Sequence, residues 1–186
     1  MGRSKGEREL TRFVALLRGI NVGGANRLPM QFLHAAFVAA GAARVATFIQ
    51  SGNVVFDAPA GAAEAIGEHV AQTVAKSFGF AAPIVMRDAP RWRALIAANP
   101  FLARGEDCSR LHVAVLSAPP APERLVRLDP NRSPPDAYAV GEACLYLHLP
   151  NGVARSRMTN AWLDSNLGVV ATLRNWATVT RLADML

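Results

Sequence analysis

The stretch "LLRGINVGGANRLPM" (16–30) carries the residues of this chain best suited to chemistry on an anion. Arg18 and Arg27 supply guanidinium groups, Asn21 and Asn26 supply carboxamides, and Gly23 and Gly24 leave backbone amides bare. The glycines fall as G-x-x-x-G-G, which lacks the G-x-G-x-x-G spacing that brings backbone up to a pyrophosphate. No Gly-Lys-Ser/Thr follows, so the stretch is no P-loop either. Two readings stay open. Consecutive glycines beside a helix N-terminus can turn amides inward as an anion-binding nest, or they can serve a turn that needs positive φ.

A second polar group, "QSGN", offers Gln50, Ser51 and Asn53. A third lies toward the C-terminus, where "ARSR" holds Arg155 and Arg157 and "LRNW" holds Arg174 and Asn175. Paired guanidiniums can grip a phosphate in bidentate fashion, although a solvated turn explains "ARSR" equally well. Asn175, between an apolar strand and a helical pattern, is also a natural N-cap.

The other reactive types form no constellation. His34, His69, His112 and His148 are not spaced from one another, or from Cys or carboxylate, as a zinc site requires. Cys108 and Cys144 stand far apart and suggest reduced thiols in a cytoplasmic protein. No G-x-S-x-G elbow is present, and Glu64, Glu68, Glu123 and Asp164 fit exposed helix faces. No catalytic residue is assigned, and neither a metal nor a cofactor is expected.

These groups must be held by elements that the hydrophobic pattern delimits. "RFVALLRGI" (12–20) is a short apolar run of the kind buried on both faces of a sheet. Met30, Leu33, Phe37 and Ala40 recur at helical spacing, with Pro29 at the start and Gly41 at the end. "VATFIQ" and "NVVFDA" flank Ser51-Gly52 as a hairpin. Ile66, Val70, Val74 and Phe78 mark a second helix closed by Gly79, and "APIVMRD" a fourth strand. The order β-α-β-β-α-β is that of the ferredoxin-like unit.

After a helical connector, "PRWRALIAANPF", the same order recurs: strand "LHVAVLS", helix "APERLVRL", hairpin "DAYAVGE"/"ACLYLHLP", helix "TNAWLDSNLG", strand "VVATLR". Trp176, Val179, Ala183 and Leu186 give a closing helix. The expectation is an α+β protein of two tandem ferredoxin-like halves sharing a core, plus a C-terminal helix. It divides into a disordered extension (1–11), a first half (12–89), a connector and loop (90–110) and a second half (111–186). In this topology the loop after the first strand and the hairpin between strands two and three leave the same sheet end. Arg18, Asn21, Asn26, Arg27, Gln50, Ser51 and Asn53 should therefore share one rim. In the second half, Arg155, Arg157, Arg174 and Asn175 should gather at a common end.

The net charge of +6 and pI near 10.3 suit a nucleic-acid partner only weakly. Residues 1–12 hold four basic and two acidic side chains, so +4 remains for the body, and Lys5 and Lys76 are the only lysines. Phe13 and Phe56 lie on strands where base-stacking aromatics would sit, but both strand faces are apolar, which points to burial against the other half. No run approaches the ~20 apolar residues of a membrane helix, and "MGRSKGEREL" lacks the apolar core of a signal peptide.

"FVALLRGINVGGANRLPM", "FIQSGNVVF", "ANPF", "LYLHLPNG" and "TLRNWATVTRLADML" together resemble a bacterial family, domain of unknown function 1697, from about residue 12 to the C-terminus. The resemblance implies an α/β fold built of ferredoxin-like halves, and no activity. The family's recurring polar positions correspond to Arg18, Gly19, Asn21, Gly23, Gly24, Gln50, Ser51, Gly52, Asn53, Arg174 and Asn175. Arg27 stands where a basic residue is usual, whereas Ala177 departs from the pattern "RNWNTV".

The functional expectation is a binding module for a phosphorylated or otherwise anionic ligand, either nucleic acid or a nucleotide-like small molecule. The alternatives are an enzyme acting on a small phosphorylated or carboxylated metabolite through Arg clamps and amides, and a structural or protein-interaction role. Oligomeric state is not specified by the sequence.

Overall fold

The computed structural model describes residues 9–186, which form two compact units, one running to Ala89 and including Leu186, the other Pro90–Met185. The first comprises β1 (Leu10–Leu17), α1 (Met30–Ala39), β2 (Ala43–Phe48), β3 (Asn53–Pro59), α2 (Ala63–Phe78) and β4 (Ile84–Asp88). Its four strands pair antiparallel in the order β2-β3-β1-β4, which is the ferredoxin-like arrangement. β1 starts at Leu10, two residues inside the stretch expected as an extension, because Leu10 and Thr11 pair with Pro59 and Ala58. Residues 1–8 lie outside the described residues.

Why these segments take these forms follows from burial. β1 is buried without interruption from Phe13 to Leu17, as its continuous apolar run predicts. On the helix side, Ala15 and Leu17 of β1 and Val54 and Phe56 of β3 pack with Leu33 and Phe37 of α1 and Ile66, Val70 and Val74 of α2. α2 ends at Gly79, whose φ of 75° closes the helix with its N–H on the Ala75 carbonyl.

The second unit holds α3 (Ala89–Ala97, its first residue lying in the first unit), α4 (Pro100–Ala103), β5 (Leu111–Leu116), α5 (Pro122–Leu125), β6 (Ala137–Gly141), β7 (Cys144–His148), α6 (Asn160–Leu167), β8 (Ala171–Asn175) and α7 (Trp176–Asp184). Its sheet order, β6-β7-β5-β8, repeats that of the first. The repeat is imperfect: "APERLVRL" yields only the four-residue α5, too short to cover a sheet as α1 does. Trp92 donates through Nε1 to the Val179 carbonyl and the Tyr146 hydroxyl to that of Leu95, fastening α3 to α7 and to β7. Among the described residues no helix is long and apolar enough to cross a membrane.

Candidate functional site

The loop leaving β1 and the β2–β3 hairpin meet at one end of the first sheet. Leu17 N–H donates to the Gly52 carbonyl at 2.8 Å, and Asn21 Nδ2 donates to the Gln50 carbonyl at 2.7 Å. Within the loop, Val22-Gly23-Gly24-Ala25 forms a tight hairpin: Ala25 N–H donates to the Val22 carbonyl and Asn21 N–H to that of Asn26. Gly23 and Gly24 have φ of 57° and 81°, the pattern of a type I′ turn. Of the two readings of these glycines, the turn accounts for them: both are left-handed and reverse the chain.

The asparagines are explained by the same geometry. Asn21 and Asn26 have φ of 53° and 50°, a region asparagine tolerates better than most residues. Asn26 Nδ2 donates to the Gly19 carbonyl. The Asn21 side chain accepts from Leu28 N–H and donates to the Leu28 and Gln50 carbonyls, so its polar atoms are engaged by the fold. In the hairpin, buried Asn53 donates to the Phe48 carbonyl and to Ser51 Oγ. Arg18 is half-buried, and its N–H donates to the Pro83 carbonyl.

Asn21, Gly24, Arg27, Leu28, Pro29 and Gln50 line an open depression of about 360 Å³ on this rim. Arg27 and Gln50 are exposed, and neither side chain has a hydrogen-bond or ionic partner among the described residues. The N–H groups of Gly23 and Gly24 are likewise unengaged. α1 begins at the same place with Pro29 as N-cap and no side chain capping it, which leaves amides and the positive end of the helix dipole facing outward. No carboxylate lines the depression. Of the residues expected on this rim, Asn21, Arg27 and Gln50 line it, and Gly24 lines it with them. Gly23, Asn26, Ser51 and Asn53 shape the loops, and Arg18 is not part of the lining.

The model for the family described as Protein of unknown function (DUF1697) matches residues 10–146. The chain belongs to this family. The DUF1697 match includes the rim of the first sheet and ends before Arg155, Arg157, Arg174 and Asn175. Among solved structures, the chain is similar to the conserved bacterial protein SP0830 from Streptococcus pneumoniae, with a TM-score of 0.70 and 20% identity over 95% of this chain and 99% of that one. At that identity the likeness concerns the fold. No curated protein matches the chain.

The second expected cluster lies on two segments of the second unit. Asn175 accepts from Thr178 N–H and caps α7. Arg174 donates to Thr172 Oγ1 and the Leu173 carbonyl, and burial lowers its guanidinium to about 10. Arg155 and Arg157 are exposed on the β7–α6 loop, where Arg157 N–H donates to Ser133 Oγ. The two segments do leave the same sheet end, since β7 and β8 both run antiparallel to β5. Capping by Asn175 and the inward-folded Arg174 nevertheless account for the more conspicuous pair. Ala177 is exposed in the first turn of α7.

One expectation about side chains needs revision. Phe13 and Phe56 stack at 5.5 Å, and Phe37 of α1 meets Phe56 at 5.1 Å. They are buried against the helices of their own half, because alternation along β1 and β3 turns them to the helix side. A feature the sequence did not announce is buried Asp57, paired with Arg12 at 3.1 Å and with Arg44. Its signal was one carboxylate in the apolar run "NVVFDA", opposite Arg12 in register.

Proposed function

We propose that this protein binds a small anionic ligand, a phosphorylated one above all, in the depression at the rim of the first sheet. The observation that carries the reading is the exposed, unpartnered Arg27 guanidinium beside unpartnered Gln50 and the uncapped start of α1. A guanidinium in such a setting offers a bidentate fork to phosphate or carboxylate, and a helix N-terminus adds amide donors and favourable potential. The volume, about 360 Å³, is within the range of small-molecule sites, roughly 300–1,000 Å³. One basic residue in the lining favours a single anionic group over an extended nucleic-acid track.

Titration with inorganic phosphate, mononucleotides and oligonucleotides tests this reading. One bound anion should give saturable 1:1 binding and a log–log salt slope near one, while several phosphate contacts steepen it by about 0.7–0.9 each. Arg27→Ala should abolish binding and leave the melting temperature of the free protein almost unchanged. Binding that survives Arg27→Ala overturns the assignment of the site. An enzymatic reading has less support, because no acid–base pair lines the depression.

A further inference from the structure

Exposed apolar side chains flank the same rim. Val22 is 68% exposed and Ile49 51% exposed, and each adjoins a residue that lines the depression, Asn21 and Gln50 respectively. The Asn21 Nδ2–Gln50 carbonyl bond holds the two loops together, so both apolar residues belong to one rigid edge. Ile49 has a φ of 50°, a conformation in which a β-branched residue is a genuine outlier. Such strained positions persist where the surroundings over-determine them and are concentrated at functional sites.

The lining is divided in the same way. Arg27 and Gln50 offer donors, whereas exposed Pro29 supplies apolar wall, Leu28 being turned into the core. Both polar atoms of the Asn21 carboxamide are already engaged by the fold, whereas the Gln50 carboxamide is unengaged among the described residues. A sugar phosphate would find few side-chain partners for its hydroxyls there, so they would stay on water and add little to binding.

Resting on the anion-binding reading above, we propose that the rim selects an amphiphilic anion, with one phosphate or carboxylate headgroup on an apolar body. The headgroup meets Arg27, Gln50 and the start of α1, while the body lies over Pro29 toward Val22 and Ile49. A free small molecule and a lipid headgroup at a membrane surface share this chemistry, and the openness of the depression to solvent favours the free molecule with its headgroup inserted.

The test compares inorganic phosphate, hexyl phosphate below its micellar concentration, glucose 6-phosphate, and vesicles of phosphatidic acid in phosphatidylcholine, using the full chain. Hexyl phosphate should bind at least about tenfold more tightly than inorganic phosphate or glucose 6-phosphate. Val22→Ser and Ile49→Asn should bring its affinity down to theirs without affecting binding of inorganic phosphate. Asparagine tolerates the left-handed backbone, so Ile49→Asn keeps the hairpin and its loss of affinity cannot be ascribed to misfolding. Equal affinity for all three soluble phosphates overturns the amphiphile proposal and leaves the anion site intact. Binding of none overturns both, and binding to vesicles alone overturns the discrete-ligand form.

Discussion

Asn21 Nδ2 lies 2.7 Å from the Gln50 carbonyl oxygen across 29 residues of sequence, and the same carboxamide brackets both backbone groups of Leu28. One side chain thus fixes the loop, the hairpin and the approach to α1. Replacing Asn21 with Gly removes three hydrogen bonds and keeps the backbone free to hold its φ of 53°. Replacement with Ala removes the same bonds and adds strain. Both variants should lose stability, by about 1–3 kcal/mol for the unmade bonds, with Ala the worse. Urea denaturation reads the order, and equal stability of the two variants would exclude a backbone contribution.

Gly52 and Gly24 are both left-handed, with φ of 75° and 81°, but their surroundings differ. A Cβ at Gly52 would meet Leu17 Cβ and Ile20 Cδ1 at 2.8 Å, whereas one at Gly24 meets nothing within 4 Å. Gly52→Ala should cost clearly more than Gly24→Ala, which bears only the left-handed penalty of roughly 1–2 kcal/mol. Thermal melts of the two variants, side by side, give the comparison directly.

Much of this architecture was legible because periodicity and punctuation agreed. Ile66, Val70 and Val74 named the buried face of α2, and Gly79 its end. The β-α-β-β-α-β order alone places "QSGN" beside "GINVGG". The roles within the rim were less legible. Composition marks Asn21 and Gly23 as polar and permissive, but only hydrogen-bond partners show that one pins the loop and the other turns it. Arg18 and Arg27 are indistinguishable by type, and burial separates them. Nor did any local pattern reveal the Arg12–Asp57–Arg44 group, which exists because register places Arg12 opposite Asp57 and a bulge between Ala43 and Ala46 turns Arg44 toward it.

That group should respond asymmetrically to mutation. Asp57 is fully buried, while the Arg12 and Arg44 side chains are 21% and 76% exposed. Asp57→Asn releases guanidiniums that reach water, at a cost of about 1.5–3 kcal/mol for the lost charge-assisted bonds. The double variant Arg12→Ala/Arg44→Ala leaves the buried carboxylate uncompensated and should cost about 3–5 kcal/mol. Chemical denaturation of both variants checks the order, and a double variant more stable than Asp57→Asn would contradict it.

His112 gives the fold a dependence on pH. It is 8% exposed in β5, and its Nδ1 has no hydrogen-bond partner. Burial lowers its pKa below the ordinary 6.5, and a hydrogen bond with the Arg110 backbone only partly offsets this. The folded protein therefore takes up this proton less readily than the unfolded chain. The stability contributed by neutral His112 is complete above about pH 6.5 and declines as pH falls toward the folded value, with a slope of at most about 1.4 kcal/mol per pH unit. His112→Leu removes the titrating group and an unsatisfied nitrogen while keeping an apolar side chain in the same position. Its urea midpoint should change less than that of the parent protein between pH 7.5 and 5, and should match or exceed it at pH 5. Parallel profiles for the two proteins would show that His112 does not carry the acid sensitivity.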